Sequence, residues 1–188
     1  MALGAGVAAR WLTADSVYGS ASASRSALER RNLGYVVGVR TDHAVCVGLR
    51  QTRVRALLGT VPASSWQRLS CGDGAKGPRG YDWACCPINA PEPERYARWL
   101  LIRRSVADPT EVADFVCGGP PGTTLRQLVA VAGQRWAIEE CFELAKGDCG
   151  LDEYEVRSWA GWYRHVTLSL FALAVLTVIR ARQTRRGR

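Results

Sequence analysis

Near its start, the chain has hydrophobic and polar positions in a strand, helix, strand order. The segment RWLTAD (Arg10 to Asp15) has the short apolar pattern of a buried strand that ends in an acid, and SVYGS follows as a turn. A helical pattern covers Ser22 to Asn32, and the β-branched run GYVVGVR predicts a covered strand over residues 34–40. This order predicts a parallel sheet. Asp15 then lies at the carboxyl end of a strand, where open α/β sheets place their sites.

From about residue 42 to 122 this regular order is lost. Gly and Pro separate short strand-like pieces, namely HAVCVGL, WQRLSCGDGAKGPRGYDWACC, RYARWLLIRRS and VADFVCGG. Short apolar runs separated by turn residues are typical of β-strands. We therefore expect a β-rich insertion over residues 42–122, inside a single domain that covers residues 1–188.

Two long helices are predicted after the insertion. The segment GGPPGTT offers Thr123 or Thr124 as an N-cap for a helix from about Leu125 to Cys149, and a second helix covers roughly Trp159 to Arg182. The most apolar run of the second helix, Val166 to Ile179, is fourteen residues long. That is shorter than the roughly 18 to 20 residues that span a bilayer, so we expect a buried helix and no membrane contact.

The composition is that of one globular domain whose basic surface can bind a partner. The chain has 188 residues, 47% of them hydrophobic, and a formal charge of +8, of which five charges fall in a basic tail over residues 180–188. Seven of the 17 acidic residues lie between Glu139 and Glu155, where Lys146 is the one basic residue. This distribution favours a polyanion as partner and a site for cations. The alternative is a solvated charged helix face beside a frayed basic tail.

Cysteine usage indicates a reducing compartment. The seven cysteines are odd in number and form neither a CxxC pair nor a Cys/His zinc pattern. The first ten residues, MALGAGVAAR, also lack a basic segment followed by a long apolar core. We expect reduced thiols in a cytoplasmic protein.

The segment RWAIEECFELAK places three charged residues on one stripe of the first long helix. At 100° per residue, Arg135, Glu139 and Lys146 fall at about 0°, 40° and 20°. Exposed pairs of this kind contribute only a few tenths of a kcal/mol and are common. Apolar residues occupy much of the remaining circumference, so the stripe lacks a broad polar surface around it.

The same segment, together with its flanks, resembles a known family. RWAIEECFELAK matches the pattern Arg-x3-Glu-x6-Lys, and GLDEYEVRSWAGWYRHVTLSLFALA is similar to the segment that follows it in insertion-sequence DDE transposases of the branch with a Tyr-Arg-Glu-Lys signature. WLTADSVYG resembles the segment that holds the second catalytic Asp of those enzymes, and WQRLSCGDGAKGPRGYDWA resembles their β insertion. The resemblance covers nearly the whole chain.

The resemblance implies a ribonuclease-H-like α/β core in which two Asp and one Glu hold two Mg²⁺ or Mn²⁺ ions. Such ions prefer oxygen ligands and can promote phosphodiester hydrolysis and strand transfer. Carried over by motif, Asp15 is the second Asp and Glu139 is the Glu, both as catalytic metal ligands. Arg135 and Lys146 then bind the phosphates of transposon-end and target DNA. The implied location is the cytoplasm, in association with the nucleoid.

The chain departs from the family pattern at two places. Ala132 stands where the signature has Tyr, and no Asp or Glu precedes Asp15. We therefore expect the C-terminal part of a transposase, truncated before its first metal ligand and catalytically impaired. The strand over residues 10–15 is then expected to have an unpaired edge. A homo-oligomer, or the absent segment supplied by another chain, would complete such a site.

Several alternatives stay open at this stage. Asp15 can instead be only a helix or turn cap, Glu140 can replace Glu139 as the ligand, and Lys146 can be a solvated residue. His165 is interpreted as a hydrogen-bonded core residue. The functional alternative to an active transposase is a DNA-binding remnant without catalysis that interferes with an intact enzyme.

Overall fold

The computed structural model describes residues 8–74, 77–155 and 157–186. It consists of two compact units, Met1–Arg135 and Trp136–Arg188. Residues 187–188 of the predicted basic tail lie outside the described residues. Each unit is considered by itself.

The first unit is built on a curled six-stranded sheet with the strand order β1-β2-β8-β7-β6-β5. Strands β1 and β2 are parallel, and every other neighbouring pair in this sheet is antiparallel. The six strands are β1 (Trp11–Ala14), β2 (Gly34–Val39), β5 (Gln67–Gly74), β6 (Gly77–Ile88), β7 (Ala97–Arg104) and β8 (Val112–Gly119). Strands β3 (Ala44–Val47) and β4 (Arg50–Arg53) form a separate hairpin.

Three short helices accompany the sheet. The crossover from β1 to β2 contains α1 (Ser16–Gly19) and α2 (Ser22–Glu29), and α3 (Val54–Leu58) follows the hairpin. A 3-10 turn at Ala63–Ser65 precedes β5. The predicted strand, helix, strand unit is thereby confirmed for β1 and β2. The expected parallel sheet is wrong beyond this pair, because every other neighbouring pair is antiparallel. SVYGS is a short helix and not a turn.

Alternating side chains of the sheet enter two separate cores. Tyr35 and Val37 of β2 belong to one core with Leu100 and Ile102 of β7, whereas Val36 belongs to the other. The period of two along a strand sends neighbouring residues to opposite faces. Because both faces are covered, β2 is apolar at every position, as its β-branched run predicts.

The strands of the predicted insertion join this same sheet. β8 pairs with β2 from Tyr35↔Gly118 to Val39↔Asp114, and β7, β6 and β5 follow in antiparallel order. The mixed α/β class is confirmed. β1 occupies one edge of the six strands, as expected of a strand with an unpaired side.

Helix α4 (Leu125–Cys149) begins in the first unit and ends in the second. Its start is a capping box, in which Thr124 Oγ1 accepts a hydrogen bond from Gln127 N at 3.3 Å and Gln127 Oε1 accepts one from Thr124 N at 2.8 Å. Gly150, with φ of 62°, ends the helix in the left-handed conformation. These local signals explain why the sequence predicts both ends correctly.

The second unit contains the end of α4 and helix α5 (Trp159–Arg186). Ala145 and Leu173 are its buried apolar residues, and Arg180 donates to Asp148 Oδ2 at 2.8 Å. His165 Nε2 lies 3.3 Å from the carbonyl oxygen of Leu151, so the expected hydrogen-bonded histidine is observed.

The expectation of a buried helix is wrong for α5, which is mostly exposed. Residues Trp159–Gln183 are long and apolar enough to cross a membrane by length and composition, and only 11% of their most apolar window is buried. The apolar segment is thus longer than the fourteen-residue run, because the helix also includes Trp159, Trp162 and Tyr163. A helix of this kind, taken alone, is weak support for a membrane span.

Candidate active site

Asp15 lies directly after β1 and caps α1. Its Oδ1 accepts hydrogen bonds from Val17 N at 3.0 Å and Tyr18 N at 3.4 Å, and its own backbone is extended, with φ of −77° and ψ of −176°. The capping interpretation that the sequence left open is therefore observed. The side chain is exposed, and the hydrogen bonds of the described residues use Oδ1 alone. Oδ2 is accordingly accessible to a cation or to water.

Two glycines fix the backbone of Asp15 against β2. A Cβ on Gly19 would lie 1.8 Å from the carbonyl oxygen of Gly38, and a Cβ on Gly38 would lie 3.2 Å from Ser16 N and 3.4 Å from the carbonyl carbon of Asp15. At Gly19 only a residue without a side chain allows this approach, whereas at Gly38 a side chain would require its neighbours to shift by a few tenths of an ångström. The strand end that carries Asp15 is thus held in place by backbone packing.

Arg135 is positioned by the first half of α4. Leu128 and Val129 are fully buried in the second core cluster, and a Cβ on Gly133 would lie 1.7 Å from the carbonyl oxygen of Cys71 on β5. This part of α4 therefore lies directly against the sheet. Arg135, the last residue of the first unit, is half-buried.

Glu139 and Lys146 belong to the second unit, seven residues apart on α4. Seven residues are close to two helical turns, so the two side chains lie on the same face. Glu139 is half-buried, as is Glu140, and Lys146 is exposed in the last turn of the helix. A lysine at that position also interacts favourably with the helix dipole, which gives Lys146 a structural role independent of DNA.

The predicted metal ligands thus lie in different units, Asp15 in the first and Glu139 in the second. Among the described residues, no group of three or more His, Cys, Asp or Glu side chains is placed to hold a metal ion. Both carboxylates are oxygen donors of the kind that Mg²⁺ prefers. A shared metal site at Asp15 and Glu139 remains a prediction.

The sequence-based search missed a charged network on the sheet. Asp82 Oδ1 accepts from Arg68 Nε at 3.0 Å, and Arg104 Nη2 lies 3.5 Å from Asp82 Oδ2. Hydrogen bonds from Arg68 hold the pKa of Asp82 below its usual range. The Arg104 guanidinium also lies 4.0 Å from the centre of the Trp66 ring. Only the antiparallel register, which sequence alone does not give, brings these residues together.

Asp114 is a second missed residue. It is 3% exposed on β8, and burial raises the pKa of its carboxyl to about 6. Its Oδ1 has no hydrogen-bond partner among the described residues. The alternating pattern of VADFVCGG places Asp114 at an inward position, and this pattern is the sequence signal that could have identified the residue.

Trp83 and the two buried cysteines belong to the core. Trp83 is 1% exposed, and its Nε1 donates to the Leu69 carbonyl oxygen at 3.2 Å. All seven cysteines are free thiols, of which Cys71 and Cys117 are buried and Cys46 and Cys141 are exposed.

A scan against protein-family models and a search of curated proteins give no match to this chain.

Proposed function

We propose that the chain is part of the catalytic core of a DDE insertion-sequence transposase with a ribonuclease-H-like fold. Asp15 and Glu139 are the metal ligands in this proposal, and Arg135 and Lys146 contact DNA phosphates. The observation that carries it is the position of Asp15, an accessible carboxylate immediately after an edge strand that is parallel to its neighbour. The resemblance places the second Asp of the family at this strand end.

The long helix gives further support. α4 extends without interruption from Leu125 to Cys149, so Glu139 and Lys146 keep the same-face spacing that the family signature requires. Mg²⁺ or Mn²⁺ bound by the two carboxylates would supply electrophilic stabilisation at a phosphodiester. Arg135 provides a fork of donors and Lys146 a point charge for backbone phosphates.

Catalysis also depends on a third carboxylate. Residues 1–14 contain no Asp or Glu, so none of them supplies the first carboxylate of the family pattern. Activity of these 188 residues alone is expected to be weak. The second candidate function is a DNA-binding protein without catalysis, which the exposed arginines on the β3–β4 hairpin and α3 favour.

The test is nicking of a supercoiled plasmid by the purified chain in Mg²⁺ or Mn²⁺. Asp15→Asn removes the charge but keeps a good N-cap residue, so it separates the ligand role from the capping role. We expect nicking to be lost in Asp15→Asn and in Glu139→Gln, and to persist in the matched neighbour Glu140→Gln. Nicking that survives Asp15→Asn would exclude Asp15 as a ligand. Salt-dependent DNA binding without any nicking would support the second candidate function.

A further inference from the structure

The β3–β4 hairpin has a fixed tip. Its two-residue turn is Gly48–Leu49, and Gly48 has φ of 58°. Asn89 holds the turn from outside, because its Nδ2 donates to Gly48 O at 2.6 Å and its Oδ1 accepts from Gly48 N at 2.9 Å. Asn89 N also donates to Cys46 O at 2.8 Å. Three hydrogen bonds to one asparagine therefore fix the direction in which the tip extends.

The fixed tip presents an apolar side chain to solvent. Leu49 is fully exposed, at 107% of its reference surface, and Val47 beside it is 38% exposed. Leu49 buries nothing within the first unit, so it gives the fold no hydrophobic stabilisation. A leucine on a rigid tip is instead suited to contact another molecule.

Four exposed arginines lie along the hairpin and at its base, namely Arg40, Arg50, Arg53 and Arg55. Backbone hydrogen bonds bring them together, since Arg55 N donates to Thr41 O at 2.9 Å and Val54 N donates to His43 O at 3.0 Å. Val54, between Arg53 and Arg55, is fully buried and anchors this segment in the core.

A shallow cavity of about 280 Å³ lies among Arg40, Arg53 and Arg55, with Asp42 as its one acid. Asp42 accepts from Arg40 Nε at 3.2 Å, and the pKa of its carboxyl is held low by that hydrogen bond and by the charges of Arg40 and Arg53. The three arginines around the cavity outnumber this acid, so the surface keeps a net positive charge that fits phosphates.

We propose that the β3–β4 hairpin docks in the major groove of duplex DNA, with Leu49 against base edges and Arg50, Arg53 and Arg55 on the flanking phosphates. The major groove admits a two-stranded β-ribbon. Phosphate contacts position such a ribbon, and an apolar tip adds contact area inside the groove. The choice of duplex DNA over other polyanions rests on the proposed function, whereas the docking surface itself rests on the hairpin geometry.

The test measures binding of a fluorescent duplex of mixed sequence by anisotropy, without divalent metal, over a salt series. Each phosphate contact contributes ~0.9 to the slope of log K against log salt. Replacing Arg50, Arg53 and Arg55 by alanine together is expected to reduce the slope by about 2.7. The matched control replaces Arg30, Arg31 and Arg126, which are also exposed, and is expected to change the slope by less than ~0.9.

Leu49→Ser tests the tip separately. The exposed position makes the substitution harmless to the fold, and we expect about tenfold weaker binding at every salt concentration with an unchanged slope. Equal slope changes in the two triple variants would overturn the proposal, as would wild-type affinity of Leu49→Ser. Loss of binding to single-stranded RNA but not to the duplex in the hairpin variants would also overturn it. Because no metal is present, these outcomes are independent of plasmid nicking, on which the proposed function depends.

Discussion

Asp114 offers a prediction whose size follows directly from the structure. Burial without a partner for Oδ1 raises the pKa of the carboxyl to about 6, against about 3.9 for an unperturbed aspartate. The shift of about 2 units corresponds to roughly 3 kcal/mol of free energy of unfolding, at 1.36 kcal/mol per unit. Ile102 on β7 is the register partner of Asp114, and Arg104, two residues further along β7, lies on the same face of the sheet. Arg104 is hydrogen-bonded to Asp82 and not to Asp114.

The sign of the pH dependence follows from proton binding. Between about pH 4 and pH 6 the folded state binds more protons at Asp114 than the unfolded state does. This residue therefore makes the protein less stable as the pH rises through about 6. Asp114→Asn keeps the shape and removes the titration, so it should be more stable than wild type at pH 8 by about 1–3 kcal/mol. At a pH near 4 the two proteins should differ by less than ~0.5 kcal/mol.

Urea denaturation at several pH values, followed by the intrinsic tryptophan fluorescence, measures this difference. The buried Trp83, whose ring lies 6.2 Å from that of Phe115, contributes to this signal. Asp108→Asn is the control, because hydrogen bonds from Thr110 hold the pKa of that exposed carboxyl below its usual range. No gain in stability at pH 8 is expected for the control. A gain for Asp114→Asn of the same size at pH 4 and pH 8 would refute the assignment of the cost to ionisation.

Two further predictions concern the packing around β2. Gly19→Ala puts a methyl group against the carbonyl oxygen of Gly38 and should lower the free energy of unfolding, measured by thermal denaturation, by about 1–3 kcal/mol. Gly59→Ala is the control and should leave this free energy unchanged, because the nearest neighbour of its methyl group lies at 3.8 Å. Equal effects of the two substitutions would contradict the packing argument. Arg98→Met should cost about 2–3 kcal/mol at pH 7, because Arg98 pairs with Glu29 at 2.6 Å and leaves a mostly buried carboxylate without its cation. Burial raises the pKa of Glu29, but the hydrogen bonds from Arg98 and Tyr35 outweigh it and lower the pKa, so this cost should shrink as the pH falls below about 4.

Local sequence signals account for much of the fold. The Thr124 and Gln127 capping box and the left-handed Gly150 mark both ends of α4, and the run GYVVGV marks a strand covered on both faces. Such signals depend on residues within a few positions of each other. Both ends of α4 and the position of β2 could therefore be predicted without the structure.

The pairing of strands that lie far apart in the sequence could not be predicted in this way. The register of β8 on β2 brings together residues about eighty positions apart, and the Arg68, Asp82 and Arg104 network depends on two such registers. The short helix α1 has Asp15 as its main local signal, so its segment resembled a turn. The hairpin tip depends on Asn89, forty-one residues from Gly48. For the candidate site, the sequence correctly predicted Asp15 at the end of a strand and Glu139 on a helix, because both predictions depend on local patterns.

The most direct test of that common site uses Fe²⁺ in place of Mg²⁺. With ascorbate and peroxide, bound Fe²⁺ generates hydroxyl radicals that cut the backbone beside its ligands. If Asp15 and Glu139 hold the same ion, the chain should be cut near both residues, Mg²⁺ should suppress both cuts, and Asp15→Asn should abolish both together. Cuts at only one of the two positions, or cuts that Mg²⁺ does not suppress, would contradict a shared metal site and with it the proposed chemistry.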